Sequence, residues 1–171
     1  HKFEAPSTHY ALELEKAPTR TYSDSCSQME CMASKKNRNL PALPYLTEMG
    51  VHSITFIRCD RSQNQFRLDF ARFHRIVESS IMQSGRTTLI KFQESKSVKQ
   101  FLEEYPESII FDFGGKTISP GEQFKTILIG CEGGFSSSER ALFPENKLRS
   151  LSVPMILRSE TAAIAAAAFC L

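Results

Sequence analysis

The sequence predicts an α/β protein built on a parallel sheet with helices on both faces. From residue 45 onward, β-rich runs alternate with runs whose apolar residues recur at helical spacing. Glycine-containing segments follow two of the predicted strands, and serine residues typical of helix N-caps open two of the helices. Ligands of such folds bind at the carboxyl ends of the strands, so these segments are the first candidates for a site.

Length and composition indicate one domain with an appendage. The chain has 171 residues, of which 41% are hydrophobic and 23% are charged. The alanine-rich stretch 162–171 is far shorter than the roughly 20 residues of a membrane span, and the polar start, broken by Pro6, does not match a signal peptide. Five cysteines without a Cys-x-x-Cys pair favour reduced thiols over disulfides or a zinc site. We expect a cytoplasmic protein with no membrane segment and no metal.

Charge is nearly balanced overall but locally positive. The formal net charge is only +2. Between Thr55 and Lys91, however, seven basic residues face three acidic ones, and most of the basic residues are arginines. The planar fork of arginine suits phosphate, so this region predicts contact with a polyanion. A solvated helix face explains the same pattern equally well.

The first 44 residues are not expected to form a complete domain. They contain no glycine, whereas the tight turns of a small barrel usually need it. One strand is predicted at His9–Leu14 and an exposed linker at Lys35–Arg38. Residues 1–44 therefore form a partial segment, followed by a domain at 45–171.

Strands and helices then alternate in order. The apolar residues of the first helix, from Phe66 to Gln83, recur at helical spacing. Ser97 and Gln100 match a capping box at the start of the next helix. The predicted elements are a strand at Ser53–Arg58, a helix at Phe66–Gln83, a strand at Thr87–Phe92, a helix at Ser97–Tyr105 and a strand at Ser108–Phe113.

The last third carries two strand–loop–helix patterns. A strand at Thr126–Ile129 ends in a glycine-rich turn, and Ser136 with Glu139 forms a capping signature for a helix reaching Phe143. A second short strand and a second helix, beginning near Arg158, follow. Glycines at 130, 133 and 134 allow main chain to approach a ligand, although Gly133 and Gly134 also suit a simple turn. We expect 112–115 and 130–134 to face one crevice.

Four segments in order resemble one known family. Ile129-Gly130-Cys131-Glu132-Gly133-Gly134-Phe135-Ser136 with Glu139, and Ile156-Leu157-Arg158-Ser159-Glu160-Thr161-Ala162, are similar to the paired signature of the RsmE-type ribosomal RNA (uracil-N3)-methyltransferases of the SPOUT superfamily. Leu46-Thr47-Glu48-Met49-Gly50-Val51 and Gln83-Ser84-Gly85-Arg86 match the same family. The resemblance covers about residues 45–169.

The resemblance implies an enzyme that uses S-adenosyl-L-methionine (SAM) on N3 of a uridine in 16S ribosomal RNA of the small subunit. It also implies a homodimer, a C-terminal trefoil knot and an amino-terminal PUA-like β-barrel, of which 1–44 is a remnant. Three segments would hold SAM mainly through main-chain atoms. The residues implied are Phe111, Asp112, Phe113, Gly114, Ile129, Gly130, Glu132, Gly133, Gly134, Leu151, Ser152, Met155, Ile156 and Leu157.

Four charged residues are our candidates for this chemistry and for RNA binding. Arg158 stabilises charge or positions a phosphate, and Glu160 accepts a proton or orients the base, although a carboxylate in a first helical turn also simply stabilises the helix. Arg61 and Arg86 are RNA-binding candidates, and Arg86 also suits a dimer interface or plain solvation.

The sequence departs from the family pattern at three places. Cys131 replaces a usual proline, Ser152-Val153-Pro154-Met155 replaces a Leu-Gly-x-Arg or Leu-Gly-x-Asn run, and 112–115 lacks the expected His-Pro or similar pair. Two alternatives therefore stay open. One is a SPOUT enzyme acting on transfer RNA, and the other is an RNA-binding module that has lost cofactor binding through Val153 and Met155.

Overall fold

The computed structural model describes residues 9–13, 28–29, 40–61, 68–119, 122–131 and 133–170. Within these ranges, seven strands form one sheet, and five α-helices accompany it. In chain order the elements are β1 (His9–Glu13), β2 (Gln28–Met29), α1 (Leu43–Glu48), β3 (Ser53–Ile57), α2 (Phe70–Ser84), β4 (Lys91–Ser95), α3 (Val98–Glu104), β5 (Ile109–Thr117), β6 (Thr126–Ile129), α4 (Ser137–Arg140), a 3₁₀ turn at Glu145–Lys147, β7 (Leu148–Ser150) and α5 (Ser159–Cys170).

The sheet has the strand order β4-β3-β1-β2-β6-β5-β7. Strand β3 is parallel to β4, and β5 is parallel to both β6 and β7. The predicted α/β fold with parallel strands is thus confirmed, with one exception. Strand β1 runs antiparallel to both β3 and β6, so these two strands point the same way. The expected linker at Lys35–Arg38 lies outside the described residues.

Strand β3 is the centre of the apolar core, since all five of its residues are buried. The ring of Phe56 lies 5.5 Å from that of Phe73 and 5.9 Å from that of Phe70, both on α2. Phe92 of β4 completes the group, with ring centroids 5.5 Å from Phe73 and 6.0 Å from Phe70. We call these four phenylalanines the aromatic cluster. It fixes α2 on the sheet through apolar burial and edge or offset ring contacts.

Helix α2 has capping residues at both of its ends. The Asp69 carboxylate accepts the Arg72 main-chain N–H at 3.0 Å, and Gly85 ends the helix at a φ of 70°. The predicted start at Phe66 lies outside the described residues. The following strand was predicted too early: it occupies Lys91–Ser95 rather than Thr87–Phe92, because pairing with β3 begins at the Ser53–Lys91 register.

The alanine-rich helix α5 packs closely on its neighbours, as the small side chains predict. Ala163, Ala166 and Ala167 are buried, and α5 contacts β6 and α1. The small alanine side chains on the buried face allow this close approach, because no bulky group stands there between the two backbones. Within the ranges that the structure describes, no helix has the length and apolar character needed to cross a bilayer.

Candidate functional site

The segment Asp112–Gly115, predicted as an open loop, is instead a bulge inside β5. Phe111 and Lys116 both pair with Arg149 of β7, which leaves the four residues between them without a register partner. The bulge lies tightly on β7: a Cβ on Gly115 would stand 2.7 Å from main-chain atoms of Arg149. Ser150 also donates its hydroxyl to the Gly115 carbonyl at 2.8 Å. This segment therefore has a fixed shape, and only glycine fits at position 115.

An ion pair joins this bulge to α4. The Arg140 guanidinium donates to both carboxylate oxygens of Asp112, from Nε at 2.8 Å and from Nη2 at 3.0 Å. The Asp112 side chain is only 8% exposed, whereas that of Arg140 is half exposed. A Cβ on Gly134 would come within 3.6 Å of Arg140 Nη2, so the same arginine borders the glycine-rich turn. Bidentate pairing sets both distance and orientation between the two segments.

The glycine-rich turn follows β6 directly. Gly134 donates its main-chain N–H to the Cys131 carbonyl at 2.8 Å and has a φ of 64°, which favours glycine. A Cβ on Gly130 would lie 3.1 Å from the ring of Phe135, which is buried beneath the turn. Position 134 thus favours glycine through its backbone conformation, and at position 130 a side chain would have to displace the Phe135 ring. Glu132, another predicted cofactor residue, lies outside the described residues.

The segment after β3 braces this turn through hydrogen bonds that sequence reasoning missed. The Asp60 carboxylate accepts the hydroxyls of Ser136 and Ser138, each at 2.6 Å. The buried Glu139 accepts the main-chain N–H of Asp60 at 3.1 Å and that of Ser136 at 2.7 Å. We call this set of contacts the polar brace. A contact between residues almost 80 positions apart leaves no periodic signal in the sequence. The local Ser136–Glu139 capping box, in contrast, could be predicted from the sequence.

Arg61 lies next to the polar brace and contacts the glycine-rich turn. Its guanidinium donates to the Gly133 carbonyl. The predicted RNA-binding residue Arg61 is therefore placed beside the predicted cofactor segment. The Arg61 residue is exposed.

Two buried thiols lie beneath the polar brace. The pKa of the Cys59 thiol is raised far above its ordinary range, mainly by a hydrogen bond with Cys131 and in second place by burial. Cys131 also donates to the Gly134 carbonyl at 3.3 Å. Both cysteines are free thiols, and Cys59 stays protonated at neutral pH. The expectation for Cys26 and Cys31 lies outside the described residues.

The third predicted cofactor segment, 151–157, lies between β7 and α5 without regular structure. Val153 donates its main-chain N–H to the Leu151 carbonyl at 2.9 Å, which forms a tight bend. Large apolar side chains point outward here: Val153 is 44% exposed, Met155 73% and Ile156 79%. Leu157 is half-buried and Ser152 is exposed. Val153 is thus not buried among the neighbouring segments.

The predicted catalytic residues flank the start of α5. Arg158 is exposed, and its carbonyl accepts the main-chain N–H of Ala162 at 2.8 Å. Glu160 is half-buried in the first helical turn, where its charge stabilises the helix dipole. Both residues follow the exposed apolar segment directly.

Arg86 lies away from these segments. Its side chain donates to the Thr47 carbonyl at 3.0 Å and to the Thr88 hydroxyl at 3.3 Å, so it ties the end of α2 to α1. Burial lowers the pKa of Arg86 to about 10, which still leaves the group charged at neutral pH. Among the described residues, no group of three or more His, Cys, Asp or Glu side chains is placed to hold a metal ion.

Comparison with known proteins identifies the family. A model of the RNA methyltransferase domain matches residues 29–171. Two relatives from Helicobacter pylori strains, both named ribosomal RNA small subunit methyltransferase E, are 34% and 33% identical over 150 residues, which cover 80% of this chain. A relative of the same name from Aquifex aeolicus is 28% identical over 69% of the chain. The chain spans 66% of the length of the two Helicobacter relatives.

Solved structures agree on the fold. A probable rRNA-methyltransferase from Porphyromonas gingivalis superposes with a TM-score of 0.71 at 22% identity, covering 95% of this chain and 79% of that one. A Legionella pneumophila protein assigned as a methyltransferase and solved with bound SAM gives 0.65 at 24%, covering 94% and 77%. The chain therefore belongs to the RNA methyltransferase domain family, and it is similar to relatives named ribosomal RNA small subunit methyltransferase E.

Proposed function

We propose that this chain is a SAM-dependent methyltransferase that modifies N3 of a uridine in 16S ribosomal RNA. The observation that carries the proposal is the contact between three separate segments at one end of the sheet. Arg140 joins the β5 bulge to the border of the glycine-rich turn, and Ser150 joins the same bulge to the start of 151–157. Family membership and relatives named for small-subunit ribosomal RNA support this chemistry and substrate.

The residues at this end of the sheet fit SAM. Exposed apolar side chains at Phe113, Val153, Met155 and Ile156 offer a surface for an adenine ring. The main chain of the glycine-rich turn is accessible because no side chain stands at 130, 133 or 134. Main-chain groups of the three segments would hold the cofactor, which supplies an electrophilic methyl group on its sulfonium. The Legionella pneumophila structure, which holds SAM, supports the same choice of cofactor.

Residues of this chain then have to position and activate the uridine. Methylation at N3 requires loss of the N3 proton, alignment of that nitrogen with the methyl group and stabilisation of charge on O2 and O4. We assign charge stabilisation or phosphate positioning to Arg158 and proton acceptance or base orientation to Glu160. Their place directly after the exposed segment 151–157 supports this assignment. The target base leaves its stack to reach the site.

The wider architecture of the family completes the proposal. Residues 45–171 form a SPOUT-type domain with a C-terminal trefoil knot, and 1–44 form a partial PUA-like segment for RNA. The chain works as a cytoplasmic homodimer. Exposed apolar side chains at Ile156 and Phe169 support a second copy, because water-exposed apolar surface favours burial against a partner.

Two measurements test the proposal, one on the protein and one on RNA from cells that lack it. Calorimetry should show binding of SAM, and ribosomal RNA from cells lacking the protein should lack the mass of one methyl group at a single uridine. Gly130→Val should abolish SAM binding, because even a Cβ there meets the Phe135 ring at 3.1 Å. Gly85→Ala is the control for general destabilisation, because it strains a helix end away from the site, where φ is 70°; it should lower stability but bind SAM normally.

The outcomes separate the alternatives. Methyl transfer to transfer RNA instead of ribosomal RNA would replace the substrate but keep the chemistry. RNA binding without any heat of SAM binding would identify a non-catalytic module. A chain that binds neither RNA nor SAM would overturn the proposal altogether.

A further inference from the structure

An open groove runs along one face of α2, outside the candidate site. Arg72, Arg75, Ile76, Ser79 and Ser80 line it, and the groove has a volume of about 560 Å³. These positions are spaced i, i+3, i+4, i+7 and i+8, so they form a single stripe on the helix. The stripe adjoins the face of α2 that carries Phe73 and Val77 into the core. The groove is thus built on a firmly anchored helix.

The groove carries positive charge that its described surroundings do not neutralise. Within the described ranges, neither Arg72 nor Arg75 forms an ion pair with a carboxylate, and the Arg75 side chain donates one long hydrogen bond of 3.4 Å, to the Ala71 carbonyl. The nearby Asp69 carboxylate is engaged by the Arg72 main-chain N–H. Two guanidinium forks are therefore available to an anion, together with the exposed Ser79 hydroxyl.

The topology places this charge at the same edge of the sheet as the candidate site. Strands β3 and β6 point the same way, because both are antiparallel to β1. The glycine-rich turn follows β6, and the connection to α2 follows β3, so both leave from one edge. Arg72 and Arg75 lie in the first two turns of α2, and Arg61, in that connection, contacts Gly133. Arg61, Arg72 and Arg75 thus all lie toward one edge of the sheet.

We propose that the α2 groove binds the ribose–phosphate backbone of the RNA substrate and guides it toward the candidate site. The inference rests on the proposed function, since that function makes RNA the substrate. Arginine pairs with phosphate oxygens through two parallel hydrogen bonds, and a hydroxyl can donate to a third oxygen. Contacts to the backbone position the RNA without reading its sequence.

The test is the double variant Arg72→Gln/Arg75→Gln, measured by fluorescence anisotropy with a fragment of 16S ribosomal RNA. We expect the Kd for RNA to rise about 10-fold and the slope of log K against log salt to fall in magnitude by about 1.5, as expected for two lost phosphate contacts. The KM for RNA should rise similarly, while the Kd for SAM and the melting temperature stay at wild-type values. Arg72→Lys/Arg75→Lys should recover part of the affinity, because it keeps the charge but not the fork.

Lys91→Gln/Lys125→Gln is the matched control. It also removes two positive charges, but at the opposite edge, where β4 and β6 begin. The groove proposal would be overturned if the arginine variant kept the RNA Kd and salt slope of the wild type. It would also be overturned if the arginine and lysine variants lost RNA affinity equally. Either result would leave the proposed function intact. A wild-type chain that binds no RNA would instead remove the proposed function, and the groove proposal with it.

Discussion

Two regions of this molecule are held together by different physics. Under α2, the aromatic cluster joins two strands and a helix through four rings whose centroids lie between 5.5 and 6.3 Å apart. At the carboxyl ends of β3, β5 and β6, the polar brace and the Asp112–Arg140 ion pair join neighbouring segments through directed hydrogen bonds. The first region depends on buried area, and the second depends on geometry.

The difference shows that one set of contacts stabilises the fold and another positions the segments of the candidate site. Ring packing removes much apolar surface from water but tolerates small shifts, because burial is not directional. A hydrogen bond contributes only about 1 kcal/mol net, yet it weakens steeply when its angle or length changes. The segments that would hold a cofactor are therefore positioned by weak, directed contacts on a base fixed by strong, undirected ones. Substitutions in the two regions should have separable effects.

The largest loss of stability is expected from Phe56→Ala, at the centre of the aromatic cluster. This change removes a ring that is 2% exposed and leaves a cavity, which should lower the free energy of unfolding by about 3–5 kcal/mol. Denaturant unfolding measures the change. Phe113→Ala is the control, since its ring is 67% exposed and its removal should cost less than about 1 kcal/mol. Equal costs at the two positions would contradict the proposed dependence on buried rings.

The polar brace should fail next, through Glu139→Ala. Loss of the buried carboxylate leaves two main-chain N–H groups without their acceptor, at an expected cost of about 2–3 kcal/mol. Unlike Phe56→Ala, this change should also weaken SAM binding roughly 10-fold at a temperature where the chain is still folded, because the glycine-rich turn loses its support. Calorimetry with SAM measures this.

Glu139→Gln is the matched control for that variant. It keeps one acceptor oxygen and nearly the same volume, so it should recover part of both losses. If Glu139→Ala lowered stability but left SAM affinity unchanged, the polar brace would have no role in placing the turn. The comparison between the two regions would then rest on stability alone.

Local sequence signals predicted the elements that depend on local physics. The strand at Thr126–Ile129 has the predicted bounds, since four consecutive apolar or β-branched residues bounded by glycine form a buried parallel strand. The Ser136–Glu139 capping box is present with both reciprocal hydrogen bonds. The helix it opens is shorter than predicted and ends at Arg140 rather than Phe143. Propensity and capping act within a few residues, and sequence shows them directly.

The remaining features depend on partners far away in the chain. The bulge at 112–115 exists because Phe111 and Lys116 both pair with Arg149 of β7, more than 30 residues later in the chain. Asp60 reaches Ser136, and Arg140 reaches Asp112, with no repeating pattern to reveal either contact. The glycines and apolar segments of the candidate site could be read from sequence. The charged side chains that hold those segments in place could not.

A smaller effect is expected from the ion pair between Asp112 and Arg140. A double-mutant cycle with Asp112→Asn and Arg140→Met should give a coupling energy of about 1 kcal/mol, since the geometry is bidentate but the arginine is half exposed and screened by solvent. The same cycle on SAM affinity should show coupling of the same sign, because the pair joins two of the proposed cofactor segments. A coupling energy of zero in both measurements would mean that the two segments are positioned independently.

An effect confined to alkaline pH concerns the buried thiols. The raised pKa of Cys59 means that the folded state keeps a proton that the unfolded state loses above the ordinary thiol pKa of about 8.5, so stability should fall as pH rises beyond that value. The limit for one proton is about 1.4 kcal/mol per pH unit. Melting curves between pH 7 and pH 10 should therefore fall more steeply for the native chain than for Cys59→Ala, which removes the group. Parallel curves would show that Cys59 titrates alike in both states, and burial beneath the turn would then not control its proton.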